Sequence, residues 1–171
     1  MLELNSFCEK FCTPFNILTI IYMEVFRNGE VIILTNNDDF SAFYKNNLYA
    51  FSGELCDLIN ETPVDVDRFF IWPANAKEPL PKMLDDLSIC HGITLYEKDD
   101  YSVKSIAFAT ERNNSKIHNF YINHLDILKK IRDQFFFQYK NELAKHFLLD
   151  PIKTTNIIKF ENSTSQGQAP P

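Results

Sequence analysis

The stretch EVFRNGEVIILTNNDDFSAFYKNNLY, Glu24 to Tyr49, decides the fold. Asn28-Gly29 stands between two apolar runs, and this dipeptide supplies the left-handed torsions that a two-residue hairpin turn needs. The reading is strand, tight turn, strand, over residues 17–27 and 30–36. Asn36, Asn37 and Asp38 follow, with side-chain oxygens suited to the free N–H groups of a helix start. A helix from about Asp39 to Asn47 puts Phe40 and Tyr44 four residues apart on one face, with Tyr49 at its end. Aromatic residues at that spacing are usually core. The stretch therefore poses a choice between a core helix and the wall of a ligand pocket.

Working outward, residues 2–12 suit a short amphipathic helix with Leu4, Phe7, Cys8 and Phe11 on one side. Residues 48–67 are the least regular, and NETPVDVD reads as loop. RFFIWP, residues 68–73, reads as a short strand closed by proline. After the loop PANAKEPLP, a helix is expected over about Lys82 to Cys90. GITLYEK and SVKSIAFAT are strands flanking a tight connection at Asp99 to Tyr101. Ser115 to Phe147 forms one long helical pattern, with Ile117, Tyr121, His124, Leu128, Ile131, Phe135 and Tyr139 near one stripe.

The expected fold is α/β (α+β): a five-stranded antiparallel sheet sandwiched by helices, PAS/GAF-like, with a long C-terminal helix. Residues 1–149 are expected to form one domain, and 150–171, containing NSTSQGQAPP, a polar flexible tail.

A chain of 171 residues with 45% apolar residues, sixteen Phe and four Gly is long enough to bury one substantial core. Its net charge of −6 gives no basic footprint for nucleic acid, so no direct nucleic-acid partner is expected. No apolar run reaches the roughly 20 residues of a membrane helix. MLELNSFCEK lacks the basic start and apolar block of a secretory signal. A cytoplasmic protein without membrane contact is the expectation. Cys8, Cys12, Cys56 and Cys90 form no CxxC pair and are read as buried free thiols. No metal and no cofactor is expected.

Catalysis has little support. His118 and His124 lie six apart on different faces of the last helix. No GxSxG, HExxH or phosphate-binding glycine loop occurs. The acidic pairs at 38–39, 85–86 and 99–100 sit at turns and helix starts, where Asp is locally favoured. The protein is expected not to be an enzyme.

Taken together, the segments resemble the autoinducer-binding domain of LuxR-type transcriptional regulators, bacterial quorum-sensing receptors for acyl-homoserine lactones. Phe40, Tyr44 and Tyr49 stand in register with the family's W-x-x-x-Y-x-x-x-x-Y helix. Phe70-Ile71-Trp72 is similar to its F-x-W element, and Gly92 to Thr94 to its glycine, branched residue and Ser/Thr on the fourth strand. SIAFAT and the long last helix continue the likeness over residues 15–147. The resemblance implies a sensor domain with Phe40, Tyr44, Tyr49, Phe70, Trp72 and Ala107 as ligand-binding positions.

Three departures bear on the ligand. The family's pocket holds its polar head through an indole N–H, an Asp carboxylate and a hydroxyl on the fifth strand. Here Phe40 stands at the indole position, Gly53-Glu54 at the Asp, and Ala107 at the hydroxyl. Unpaired head groups cost ~1–3 kcal/mol each, so a typical acyl-homoserine lactone is not expected to bind. Glu54 or Asp57 is the substitute for the lost carboxylate if the loop shifts. No helix-turn-helix follows the last helix in this sequence, so any effect on transcription is expected through partners.

Phe135, Phe136 and Phe137 spread over most of the last helix's circumference. Either the helix is buried on two sides or it carries a seam for dimerisation, with Leu128, Phe135, Phe136 and Tyr139 as its residues. The partners expected are a small apolar ligand and a second chain, as a homodimer or a heterodimer with a full-length regulator. A ligand-free adaptor or secreted interaction module is the alternative, and a PAS- or GAF-like cofactor domain a third reading.

Overall fold

The computed structural model describes residues 4–26, 30–47, 67–73, 79–148 and 157–159. In chain order these form α1 (Leu4–Phe11), a 3-10 turn (Thr13–Phe15), β1 (Thr19–Phe26), β2 (Glu30–Thr35), α2 (Asp38–Asn47) and β3 (Arg68–Ile71). Then follow α3 (Pro79–Asp86), β4 (Cys90–Lys98), β5 (Ser102–Thr110), α4 (Ile117–Asn123), α5 (Leu125–Leu148) and β6 (Ile157–Lys159).

The strands make one antiparallel sheet in the order β3-β4-β5-β1-β2-β6. Five of them are the five expected. The sixth is a three-residue edge strand beside β2, from within the segment read as a flexible tail. The expected hairpin is present, with Val25 opposite Val31, while its turn lies outside the described residues.

Alternation along the strands loads both faces. Ile20, Tyr22, Ile32, Leu34, Ile93, Leu95, Ile106 and Phe108 point to one face, covered by α1, α4 and α5. Ile21, Val25, Val31, Ile33, Ala107 and Ala109 point to the other, covered by α2 and α3. The central strands β1 and β5 are consequently buried almost throughout. Glu24, at 3% exposure, is a buried carboxylate accepting hydrogen bonds from the Tyr22 and Ser102 hydroxyls, both at 2.7 Å. Those bonds offset the desolvation that otherwise excludes a carboxylate from a core. Burial, then the Glu24 charge, pushes the Tyr22 phenol far above its ordinary range.

Three expectations are corrected. The single helical pattern read over Ser115 to Phe147 is two helices, the second being the long C-terminal helix expected, because His124 leaves helical torsions (φ −132°, ψ 37°) while its N–H still bonds the Phe120 carbonyl at 2.9 Å. His124 therefore turns out of the apolar stripe and is exposed, its ring 4.9 Å from Phe120. The helix expected over Lys82 to Cys90 runs instead over Pro79–Asp86. Ser88 adopts φ 58°, and the Ser88 and Ile89 N–H groups bond the Asp85 and Leu84 carbonyls at 2.9 and 2.8 Å. That is a Schellman stop, so Cys90 and His91 open β4 instead of closing a helix.

The third correction concerns the dimer seam. Leu128, Phe135 and Tyr139 lie inside the chain's own core. The Phe135 ring is 5.6 Å from Phe7 and 5.4 Å from Tyr22, and Tyr139 is 4.7 Å from Phe135. Phe136 packs edge-on against Tyr22 at 5.8 Å and is half-buried. Side chains consumed by α1 and β1 are not available to a second chain. The outward member of the triple is Phe137, 69% exposed, with the Lys140 ammonium 5.3 Å from its ring.

Cys8, Cys12 and Cys90 are free and buried, as expected of thiols acting as small hydrophobes. Cys56 lies outside the described residues. Among the described residues no helix is long and apolar enough to cross a membrane, and no cluster of His, Cys, Asp or Glu is placed to hold a metal ion.

Candidate functional site

Asn36 and Asn37 divide two tasks at the end of β2. The Asn36 amide bridges to β1, accepting the Ile20 N–H at 2.8 Å and donating to the Leu18 carbonyl at 2.9 Å. Asn37 caps α2, its Oδ1 accepting the Phe40 N–H at 2.8 Å. This places the first turn of α2 directly over the sheet. Phe40 and Tyr44, both 4% exposed, then lie one helical turn apart with ring centroids 5.7 Å from each other. They pack with Ile21, Val31, Ile33, Met83, Leu84 and Ala107 in one apolar cluster.

The sheet register aligns the remaining positions. Phe70, Thr94, Ala107, Ile21 and Thr35 are successive partners across five strands, so their side chains share this face. The adjacent row is Arg68, Tyr96, Ser105, Met23 and Ile33. Ala107 and Ser105 thus stand side by side on the same face of β5.

Trp72 extends β3, its N–H bonding the Gly92 carbonyl at 2.8 Å. Its indole lies flat on Gly92: a Cβ there would stand 2.5 Å from Cδ2 and Cε3 and 2.7 Å from Cε2. The ring N–H donates to Thr94 Oγ1 at 2.8 Å. The pairing of Phe70-Ile71-Trp72 with Gly92-Ile93-Thr94 therefore has a physical cause. Glycine admits the ring, and the threonine two residues on fixes its orientation.

The structure brings Phe40, Tyr44, Trp72 and Ala107 into one cluster. Phe70 shares the face by register but stands 52% exposed on the edge strand, outside the buried cluster. Tyr49, Glu54 and Asp57 lie outside the described residues. Sequence reasoning missed Ser105, a buried fifth-strand hydroxyl donating to the Met23 carbonyl at 3.2 Å. Strand alternation from Ala107 was the signal that pointed to it. It also missed that Thr94 engages the indole.

Chemically the cluster is an apolar wall with hydroxyls at its border. Its members carry no charge. The Tyr44 hydroxyl lies 3.8 Å from the Met23 sulfur, a weak contact. Among the described residues neither an acid–base pair nor an activated nucleophile is assembled there, whereas a neutral molecule with a flat or chain-like apolar body suits such a surface.

No protein-family model matches the chain, and no curated protein sequence matches it. Among solved structures it is similar to the N-acylhomoserine lactone dependent LuxR family transcription factor CepR2 from Burkholderia cenocepacia. The TM-score is 0.53 at 10% identity, covering 70% of this chain and 74% of that one. It is similar also to Escherichia coli SdiA, with a TM-score of 0.54 at 10% identity, covering 91% of this chain and 68% of that one. At such identity the likeness speaks for the fold alone, and the fold implied by the aromatic helix, the F-x-W element and the Gly92 strand is the fold observed. The chain has the α/β architecture of LuxR-type autoinducer-binding domains.

Proposed function

We propose that this chain is a non-catalytic sensor-type domain that holds a small apolar molecule against the α2–α3 face of its sheet. The grip is by contact area instead of by hydrogen bonds to a polar head. The observation that carries this reading is the engagement of Trp72. Its indole N–H is already satisfied by Thr94, and Phe40, at the neighbouring family position for an indole, has none to offer. A lactone or amide entering the cluster exchanges its bonds with water for few protein partners, at ~1–3 kcal/mol for each group left unpaired.

The likeness to CepR2, a LuxR family transcription factor, supports a role in transcriptional regulation. The chain acts there through a protein partner, by homodimer or by heterodimer with a full-length regulator. The outward side of α5 around Phe137 is the part of that helix free to meet it. A gel shift with such a regulator, unaffected by excess of this protein, counts against the partner role.

A second reading has one observation in its favour. Phe40 and Tyr44 are themselves almost fully buried against the sheet, as in a face filled by its own side chains. This is the ligand-free adaptor. Native mass spectrometry of the purified protein separates the two. The sensor reading expects a small-molecule adduct lost on denaturation. The bare chain mass, unchanged by added apolar compounds, is the adaptor's result.

A further inference from the structure

One residue before Gly92 the backbone turns left-handed at His91 (φ 49°), inside the bulge between Cys90 and Ile93. This torsion is uncommon outside glycine. His91 Nε2 lies 3.0 Å from the Arg112 carbonyl and donates to it. The ring meets that of His118 edge to face, with centroids 5.3 Å apart and planes at 79°. His118 Nε2 is buried and has no hydrogen-bond partner among the described residues.

Four pieces of the chain meet here. The last turn of α3 brings Asp85, the start of β4 brings Cys90 and His91, the β5–α4 connection brings Arg112, and α4 brings His118 and Tyr121. Arg112 clasps Asp85 with Nη2 to Oδ2 at 2.9 Å, Nε to Oδ1 at 3.2 Å, and Nη2 to the Asp85 carbonyl at 3.1 Å. The Cys90 thiol donates to Asp85 Oδ1 at 3.1 Å. Burial, then this carboxylate, pushes that thiol up to about 11, so it stays neutral. The Tyr121 ring is 6.3 Å from His118, and burial raises its phenol well above the ordinary range.

We propose that His91 and His118 form a proton-operated joint that holds the end of α3 at neutral pH and loosens it in mild acid. Among the described residues, the carboxylate recorded against His91 is Asp85, which is shared with Arg112. A proton on His118 puts an N–H at Nε2 that has no acceptor among the described residues, facing the edge of a second imidazole. Burial first, and His91 second, hold the His118 pKa below its ordinary value. The sign follows: the opened form binds more protons below the ordinary histidine value of about 6.5. The closed form therefore loses stability as pH falls below that value and is unaffected well above it. Uptake of one proton on opening raises the opening constant by up to about tenfold per pH unit.

The consequence for a ligand rests on the site proposed above, because α3 contributes Met83 and Leu84 to its wall. The joint itself does not depend on that reading. The test is amide hydrogen exchange on the full chain without ligand, corrected for intrinsic exchange, between pH 7.5 and 5.5. Protection of the Leu87, Ser88 and Ile89 amides is expected to fall up to about tenfold per unit below pH 6.5 in the native sequence, and to stay level in His118→Gln. Level protection in the native sequence, or the same fall in His118→Gln, overturns the joint. Should that variant not fold, an imidazole NMR titration of the native chain decides. His118 titrating at or above the ordinary histidine value overturns the proposal, and below it supports it. The neutral probe N-phenyl-1-naphthylamine tests the link to the site. Weaker binding at pH 5.5, restored in His118→Gln, supports coupling. Equal binding at both pH values, with exchange changed, refutes the coupling alone.

Discussion

Gly92→Ala tests the geometry on which the site depends. The added Cβ would stand 2.5 Å from two indole carbons, far inside contact distance, and the obstacle is a rigid ring fixed at its N–H. Two responses are open. If the ring yields, the bond to Thr94 is lost, at about 0.5–1.5 kcal/mol, together with part of its apolar contact. If the backbone yields, the cost is that of overpacking, about 1–3 kcal/mol. Either way the loss should be about 2–3 kcal/mol. With a urea m-value of about 2 kcal/mol/M, the midpoint falls by about 1 M or more. Trp72 is the chain's single tryptophan, so its emission reports this ring and nothing else. A red shift should accompany the lost stability. Thr94→Val, which removes the acceptor and keeps the shape, should cost about 1 kcal/mol alone and less when added to Gly92→Ala. A Gly92→Ala protein with unchanged midpoint and unchanged emission refutes the reasoning.

Asn37→Ala removes the α2 cap and should lower stability by about 1 kcal/mol in urea unfolding, with the loss concentrated in hydrogen exchange at the Phe40 amide. Ser88→Gly relieves a left-handed serine and should raise the urea midpoint, by about 0.5–1 kcal/mol in stability. Phe137→Glu alters an exposed side chain and should leave stability within about 0.5 kcal/mol while shifting any dimer seen by light scattering toward monomer. Burial opposes ionisation of Asp99. The Lys104 ammonium at 2.8 Å and the Tyr101 and Ser102 N–H groups nevertheless hold its carboxyl down to about 2. Its contribution is thus present above the ordinary carboxylate range and lost as pH falls through about 2, and Asp99→Asn should flatten the acid limb of a stability–pH curve.

The sequence is legible where local chemistry and tertiary demand agree. Asn28-Gly29 between apolar runs announced the hairpin, and SVKSIAFAT reads as the buried strand that it is, residue for residue. Asn37 was among the residues expected to start α2. The boundary between α3 and β4 was hidden because its stop signal is a serine in a conformation that usually marks glycine. The break at His124 was hidden because the apolar spacing on either side continues through it, and periodicity does not register one residue's torsions. In the candidate site, spacing and resemblance named Phe40, Tyr44, Trp72 and Ala107, which the structure packs in one cluster. What decides their chemistry was not named: the Trp72–Thr94 bond joins residues 22 apart in the chain, and only the register of β3 on β4 brings them together.

The central claim is that this face holds an apolar body by contact and offers little to a polar head. Calorimetry on one protein sample, titrated in turn with N-phenyl-1-naphthylamine and N-octanoyl homoserine lactone, tests it most directly. Leaving even one or two head groups unpaired, at ~1–3 kcal/mol each, predicts that the lactone binds at least about tenfold more weakly than the apolar probe. Micromolar or tighter binding of the lactone, with the probe weaker, would contradict the account.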